Sequence, residues 1–249
     1  MIRTLVPDWP APATVKALIT TRQGGFSRPP YDSFNLARHV GDEAATVERN
    51  RALLRETCGL PADPFWLHQV HGCTVADGAS DTPGCEADAV FTRQPGRVCA
   101  VLTADCLPLL MADRAGGVVC AVHAGWRGLA AGVVESAVAR MSTPPAELLV
   151  WLGPAIGPAA FEVGDEVRQA FVERHDEDQT AFVPNRRGRW LADIYRLAEL
   201  RLQRLGVSYV GGGDHCSWTE SSLFYSYRRD GVTGRMASLI WLEPVGSDN

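Results

Sequence analysis

The sequence predicts a single α+β domain, and three observations carry that prediction. Its 249 residues, 46% of them hydrophobic, are enough to bury one large core. Several β-type runs cluster before the second helix instead of alternating strictly with helices, as a parallel α/β sheet would require. No internal repeat, low-complexity block or linker divides residues 1–249, so one domain is the simplest organisation.

In order along the chain, VKALIT (15–20) reads as a strand. TRQGGFSRPPYDSFNLARHVGD follows without a helical period, a loop long enough to be functional or disordered. Asp42 is placed to cap a helix over 43–58, with Val47, Leu53, Leu54 and Cys58 on its apolar side and Gly59 as its stop. FWLHQVHG then leads through a polar loop to the strand ADAVFT (87–92). The stretch VCAVLTADCLPLLMADRAGGVVCAVHAGWRG from residue 98 holds two apolar β-type runs, the first closed by Asp105 and Cys106 and the second by His123. AGWRG opens a helix over about 128–141 that TPP ends. Beyond it come ELLVWLG, the turn GPAIGP, a helix near 164–175 and a charged segment, DEDQT, expected to be mobile. The amphipathic helix DIYRLAELRLQRLG ends at Gly206, and VSYV, the loop GGGDHCSWTESS, LFYSYRRDGVTGR and MASLIWL complete the chain.

Composition excludes several classes of function. With 24 Lys+Arg against 29 Asp+Glu, net −5, there is no basic stripe to neutralise a phosphate backbone, so a small-molecule partner is expected and a nucleic acid is not. Lys16 is the only lysine, which leaves a Walker-type loop or a Schiff-base mechanism almost nowhere to live and gives anion binding to arginine. Seven cysteines, an odd number partly inside apolar runs, and a start without a signal-peptide core imply a reduced, cytoplasmic protein. No apolar run is long enough to cross a bilayer, so no membrane partner is expected.

The chemistry gathers at the strand ends. Cys106 and His123, joined by one histidine of HQVHG, would give a thiolate and two imidazoles, a set that suits Zn²⁺ and leaves its fourth position open. The plainer alternative is a core thiol and a satisfied strand-end histidine. Pattern does not choose between His68 and His71, which share a face in a helix and oppose each other in a strand. Asp105 can act as acid or base, or orient a ligand through its N–H, or simply bond its own turn. Trp126 and Arg127 at a helix start suit phosphate or carboxylate. Arg228 and Arg229, with Arg235, form a second cationic cluster, the kind that is often only a solvated face.

Taken together, TTRQGGFS, PYDSFNL, HVGD, NR at 50–51, QVHG, TADCLPLL, HAGWRG, WLGPAIGP, FEVG and SYRRDGVTGRMASLIWL resemble the YfiH family over nearly the whole chain. Its members are known as laccase-domain or polyphenol oxidase proteins and as purine nucleoside phosphorylases. The resemblance implies a mixed β-sandwich flanked by helices, with the site at its edge. It also implies that His71, Cys106 and His123 are the metal-binding and catalytic trio. The expected activity is zinc-dependent phosphorolysis of adenosine, inosine or methylthioadenosine, with adenosine deamination alongside. Purine nucleoside and phosphate are then the small-molecule partners, and Arg127, Trp126, Asp105 and Arg229 the expected substrate-binding residues.

Three other readings compete. Two histidines and a cysteine also resemble a type 1 Cu²⁺ site, with Met111 as an axial partner, although His39, His68, His175 and His215 are too few and scattered for a trinuclear copper cluster. A metal-free hydrolase would use Cys106 as nucleophile and His123 as base, acting on peptidoglycan precursors. The last is a binding module with a structural metal. GDHCSWTESS departs from the family's simpler segment there, so His215 and Trp218 bear on access to the pocket.

Overall fold

The computed structural model describes residues 2–244. Its first half contains β1 (Thr4–Leu5), β2 (Val15–Thr20), α1 (Ala44–Thr57), β3 (Val75–Asp77), β4 (Ala89–Thr92), β5 (Cys99–Thr103), β6 (Leu107–Asp113) and β7 (Val119–Ala124). Then come α2 (Trp126–Ala131), α3 (Val133–Met141), β8 (Leu148–Leu152), β9 (Glu162–Val163), α4 (Asp165–Val172), β10 (Phe182–Pro184) and β11 (Trp190–Ala192). The chain continues with α5 (Ile194–Leu205), β12 (Tyr209–Gly212), α6 (Tyr227–Asp230) and β13 (Met236–Leu242).

Two sheets face each other. One is antiparallel, ordered β1-β2-β13-β5; the other is ordered β12-β8-β6-β7-β4-β3 and is mixed, because β12 runs parallel to β8 and β3 to β4. Alternation along each strand sorts the side chains. Leu110, Ala112, Val119 and Ala121 point between the sheets, toward Val101 and Ile240. Leu107, Leu109, Met111, Cys120 and Val122 point the other way, into the core shared with α3 and α5. Leu54 of α1 joins Leu18, Ala100 and Leu239 on the outer face of the antiparallel sheet. Strands covered on both faces have no polar side, which is why the sequence shows them as continuous apolar runs. The architecture is the α+β mixed sandwich flanked by helices. Among the described residues no helix is long and apolar enough to cross a membrane.

Several local expectations change. The stretch from residue 98 holds three strands, not two: Ala104, Asp105 and Cys106 carry the chain from β5 in one sheet to β6 in the other, with Asp105 at φ 91 making the turn. Cys106 therefore opens a strand instead of closing one, and the apolar LPLL after it hid the boundary. The helix expected over 128–141 starts earlier, at Trp126, and breaks where Gly132 (φ 108) takes the left-handed conformation that ends α2. The helix expected near 164–175 spans only Asp165–Val172.

Asp42 does not cap α1, which opens at Glu43 without a side-chain cap. Its carboxylate instead accepts from the Ser27 hydroxyl (2.7 Å) and the Asn35 amide (2.9 Å). Those bonds help order the 21–41 segment, where Phe34, Leu36 and Ala37 are fully buried. From α1, Asn50 donates to the Asn35 carbonyl at 2.8 Å and Arg51 to that of Leu36 at 3.0 and 2.8 Å. DEDQT, expected to be mobile, lies in a short 3-10 helix over Asp176–Ala181, where Arg204 donates to the buried Asp178 at 2.8 Å and to Glu177 at 2.6 Å.

Candidate metal centre

The β6–β7 register pairs Pro108 with His123 and Leu107 with Ala124. Cys106, one step before β6, thus falls on the same face as His123, and the loop carrying His71 arrives over both. The three ligand atoms all lie within 4.8 Å of one another, with His71 Nε2 3.8 Å from Cys106 Sγ. The two imidazole rings meet edge-on, centroids 4.8 Å apart at 78°. Tetrahedral zinc with ordinary bond lengths holds its donors roughly 3.3–3.6 Å apart, so a small inward movement suffices and the donor set fits such an ion.

His71 is held by its backbone. HQVHG is neither helix nor strand, so neither periodicity orients its histidines: His71 sits at φ 61, and the exposed His68 bridges to Glu86 and is not among the converging ligand residues. The N–H groups of Val70, His71 and Gly72 donate to the Asp88 carboxylate at 3.2, 2.9 and 2.6 Å. Gln69 exchanges two 2.8 Å hydrogen bonds with the backbone of Leu102. Two glycines of HAGWRG admit the loop. A Cβ on Gly125 would lie 2.7 Å from His71 Cδ2 and 3.0 Å from Cys106 Sγ, and one on Gly128 would lie 2.7 Å from the Gly72 carbonyl oxygen.

Asp88 is the functional residue that sequence reasoning missed. Fully buried, it also pairs with His123 Nδ1 at 2.8 Å, which leaves Nε2 of that ring to face the cavity. A carboxylate inside the apolar ADAVFT run was the available signal, since a buried charge must be partnered. The carboxylate contact to a candidate ligand, weighed for Asp105, is made by Asp88. Asp105 accepts instead from the Ser217 hydroxyl and the Arg228 N–H, both at 2.6 Å, and so ties down the 217–228 segment.

The electrostatics follow from this packing. Burial pushes the Cys106 thiol up, but the charge and hydrogen bonds of His123 and His71 outweigh it and bring the thiol down to about 6. Burial likewise pulls His123 down, while the Cys106 thiolate and Asp88 raise it to about 9. Asp88 is held low, because His123 and the loop N–H groups overcome the cost of its burial. Burial and the neighbouring Arg235 lower His39.

A cavity of about 360 Å³ opens over the trio, walled by His39, Gln69, Leu102, Tyr227 and Arg235. The four residues expected to bind substrate lie outside this wall. Arg127 is exposed, its guanidinium 4.4 Å from the Trp126 ring centroid. Arg229 donates to the carbonyls of Ser217, Trp218 and Phe224 and to Asp230. Met111 faces the helices, the opposite side of the sheet from the trio, and is no axial partner. His175 is exposed and His215 pairs with Glu220 at 2.9 Å. Among the described residues the trio is the one converging group of metal-ligating side chains.

The family model described as multi-copper polyphenol oxidoreductase laccase matches residues 16–243. A purine nucleoside phosphorylase of Pseudomonas aeruginosa is 55% identical over 240 residues, 96% of this chain and 98% of its own. The purine nucleoside phosphorylase YfiH of Escherichia coli is 51% identical over 243 residues, 97% of this chain and 100% of its own. The crystal structure of Neisseria meningitidis NMB0706 matches with a TM-score of 0.93 at 51% identity, over 97% of this chain and 99% of that one. YlmD from Geobacillus stearothermophilus matches with a TM-score of 0.87 at 31% identity, over 93% of each chain. With the fold shared over 97% of the chain and residues of HVGD, QVHG, TADCLPLL, HAGWRG and SYRRDGVTGR lining one cavity, the chain belongs to the YfiH family of laccase-domain proteins.

Proposed function

We propose that the chain is a zinc-dependent purine nucleoside phosphorylase. In this reading His71, Cys106 and His123 hold one ion, and adenosine, inosine or methylthioadenosine is cleaved against phosphate, with adenosine deamination as a companion activity. The names of the close relatives support the reaction class. The observation that carries the reading is the convergence of three ligand atoms within 4.8 Å on a cavity of about 360 Å³, room for a small ligand. When bound, the ion supplies Lewis acidity and lowers the pKa of water toward neutrality. The chain's own residues do the rest. Asp88 fixes His123, the left-handed backbone aims His71, and Tyr227, 61% exposed at the cavity rim, offers a ring face to a purine. Arg127, at the start of α2, is one candidate for positioning phosphate.

The test is metal analysis of protein purified without added metal, combined with phosphate-dependent release of base from adenosine and inosine. Zinc near one per chain together with base release is the expected result. Several coppers per chain with oxidation of phenols would overturn it.

A second reading has its own observation. Cys106, His123 and Asp88 stand in line as thiol, imidazole and carboxylate, the arrangement of a cysteine hydrolase, which would act on peptidoglycan precursors. Chelation separates the two: it abolishes turnover in the first case and leaves it intact in the second.

A further inference from the structure

Arg235 stands one residue before β13, and Met236 pairs with Thr103 at the end of β5. It is therefore fixed beside the crossing that leads to Cys106, and it lines the same cavity as the trio. Its backbone N–H donates to the Asn35 side-chain oxygen at 3.0 Å. One end of the guanidinium is also anchored, Nη1 donating to the carbonyls of Thr233 (2.9 Å) and Gly234 (3.0 Å). The other edge, Nε and Nη2, has no acceptor among the described residues, and no carboxylate there forms an ion pair with Arg235. Its neighbours in the motif are placed differently: Arg229 is saturated by three carbonyls and Asp230, while Arg228, bonded through Nη1 to the Glu162 carbonyl, is exposed and does not line the cavity.

Asp105 and the Cys106 sulfur act on this half-buried cation through space, but neither is bonded to it, so an anion on its open edge would lower the cost of keeping it there. A guanidinium edge with two parallel N–H groups matches two oxygens of a tetrahedral oxyanion. We propose that Arg235, rather than Arg127, is the oxyanion-binding residue of this cavity, receiving inorganic phosphate on its Nε–Nη2 edge. The proposal deepens the phosphorolysis reading and rests on it. In that reaction a phosphate oxygen forms the bond to the ribose C1′ as the C1′–N9 bond breaks. The bonding pair leaves with the base, which takes up the proton of HPO₄²⁻, giving ribose 1-phosphate and free purine. Arg235 supplies the charge that holds the attacking dianion at the cavity wall, and it takes no proton itself.

The experiment compares metal-loaded wild type with Arg235→Gln, Arg235→Lys and Arg127→Ala. Initial rates of base release are measured over a range of phosphate, alongside calorimetric titration with inorganic phosphate and metal analysis. In Arg235→Gln the KM for phosphate is expected to rise about tenfold or more, with the nucleoside KM and the metal content close to wild type. Arg235→Lys keeps the charge but loses the fork, and regains part of the phosphate affinity. An Arg235→Gln protein that binds phosphate as tightly as wild type overturns the assignment, as does a loss confined to Arg127→Ala. Should Arg235→Gln fail to fold, Arg235→Lys decides by the same titration. If wild type releases no base at any phosphate concentration, the phosphorolysis reading fails. The calorimetric comparison then still decides whether Arg235 is an oxyanion site.

Discussion

Cys106 and Cys120 lie on one sheet and face opposite ways. Cys120 is sealed among Leu109, Met111 and Val122 on the helix side, where burial alone drives its thiol far up. Cys106 lies on the other side, where His123 and His71 turn the same kind of burial into a thiol near 6. Both residues sit in short Val/Leu/Ala-rich stretches. The difference is strand parity: shifting either residue by one position would exchange their surroundings. Reactivity in this protein is therefore set by which face a side chain reaches and what comes over that face.

The strongest way to break the comparison is to remove each thiol in turn. Cys106→Ala should lose its metal and on the order of 10³-fold or more in turnover. Cys120→Ala should keep both and lose about 1 kcal/mol of stability through the small cavity it leaves. Metal analysis and thermal melting of the two variants decide it, and bound metal retained by Cys106→Ala would sink the trio. Gly125→Ala comes next. Gly125 has φ −64 and ψ 157, a backbone that alanine adopts freely, so its added carbon acts only by striking His71 and Cys106. Metal affinity should fall tenfold or more by the standard of ligand-supporting residues with the melting temperature nearly unchanged. A loss of comparable size, about 10–100-fold in metal affinity, is expected for Asp88→Asn, which keeps an oxygen for the loop N–H groups but weakens the hold on His123. Equal metal affinity in wild type and Asp88→Asn would remove Asp88 from the site.

Much of this was legible in the sequence where the controlling contacts are local. The α5 helix shows its cap, Asp193 accepting from the Arg196 N–H at 3.0 Å, and its stop at Gly206. Apolar runs revealed most of the long strands, and the polar residues at their ends gave Cys106 and His123. What was not legible depends on contacts distant in sequence. Asp88 precedes His123 by 35 residues and meets it only because β4 pairs with β7. Arg229 and Arg235 look alike in SYRRDGVTGR, and only the folded chain shows that one is saturated and the other lines the cavity. His71 was separated from His68 by family resemblance, because the segment follows neither helical nor strand periodicity. The break at Gly132 was hidden because a single glycine inside an apolar helical pattern is also tolerated there.

The smallest expected effect is a displaced pH profile, and it tests the comparison without any mutation. The thiolate is the species that alkylates. In metal-free protein, Cys106 should react with iodoacetamide at a rate that climbs as pH rises through about 6. The rate should then stay level until His123 gives up its proton near 9, because the imidazolium–thiolate pair persists between those values. Cys99 and Cys120, both fully buried with thiols raised by burial, should stay unmodified over that whole range and react only when the chain unfolds. Peptide mapping after timed alkylation reads all three sites in one sample. Cys106 alkylation that begins only near the ordinary cysteine pKa of about 8.5 would show that His123 and His71 do not hold the thiolate, and the contrast between the two faces of the sheet would reduce to a difference in exposure.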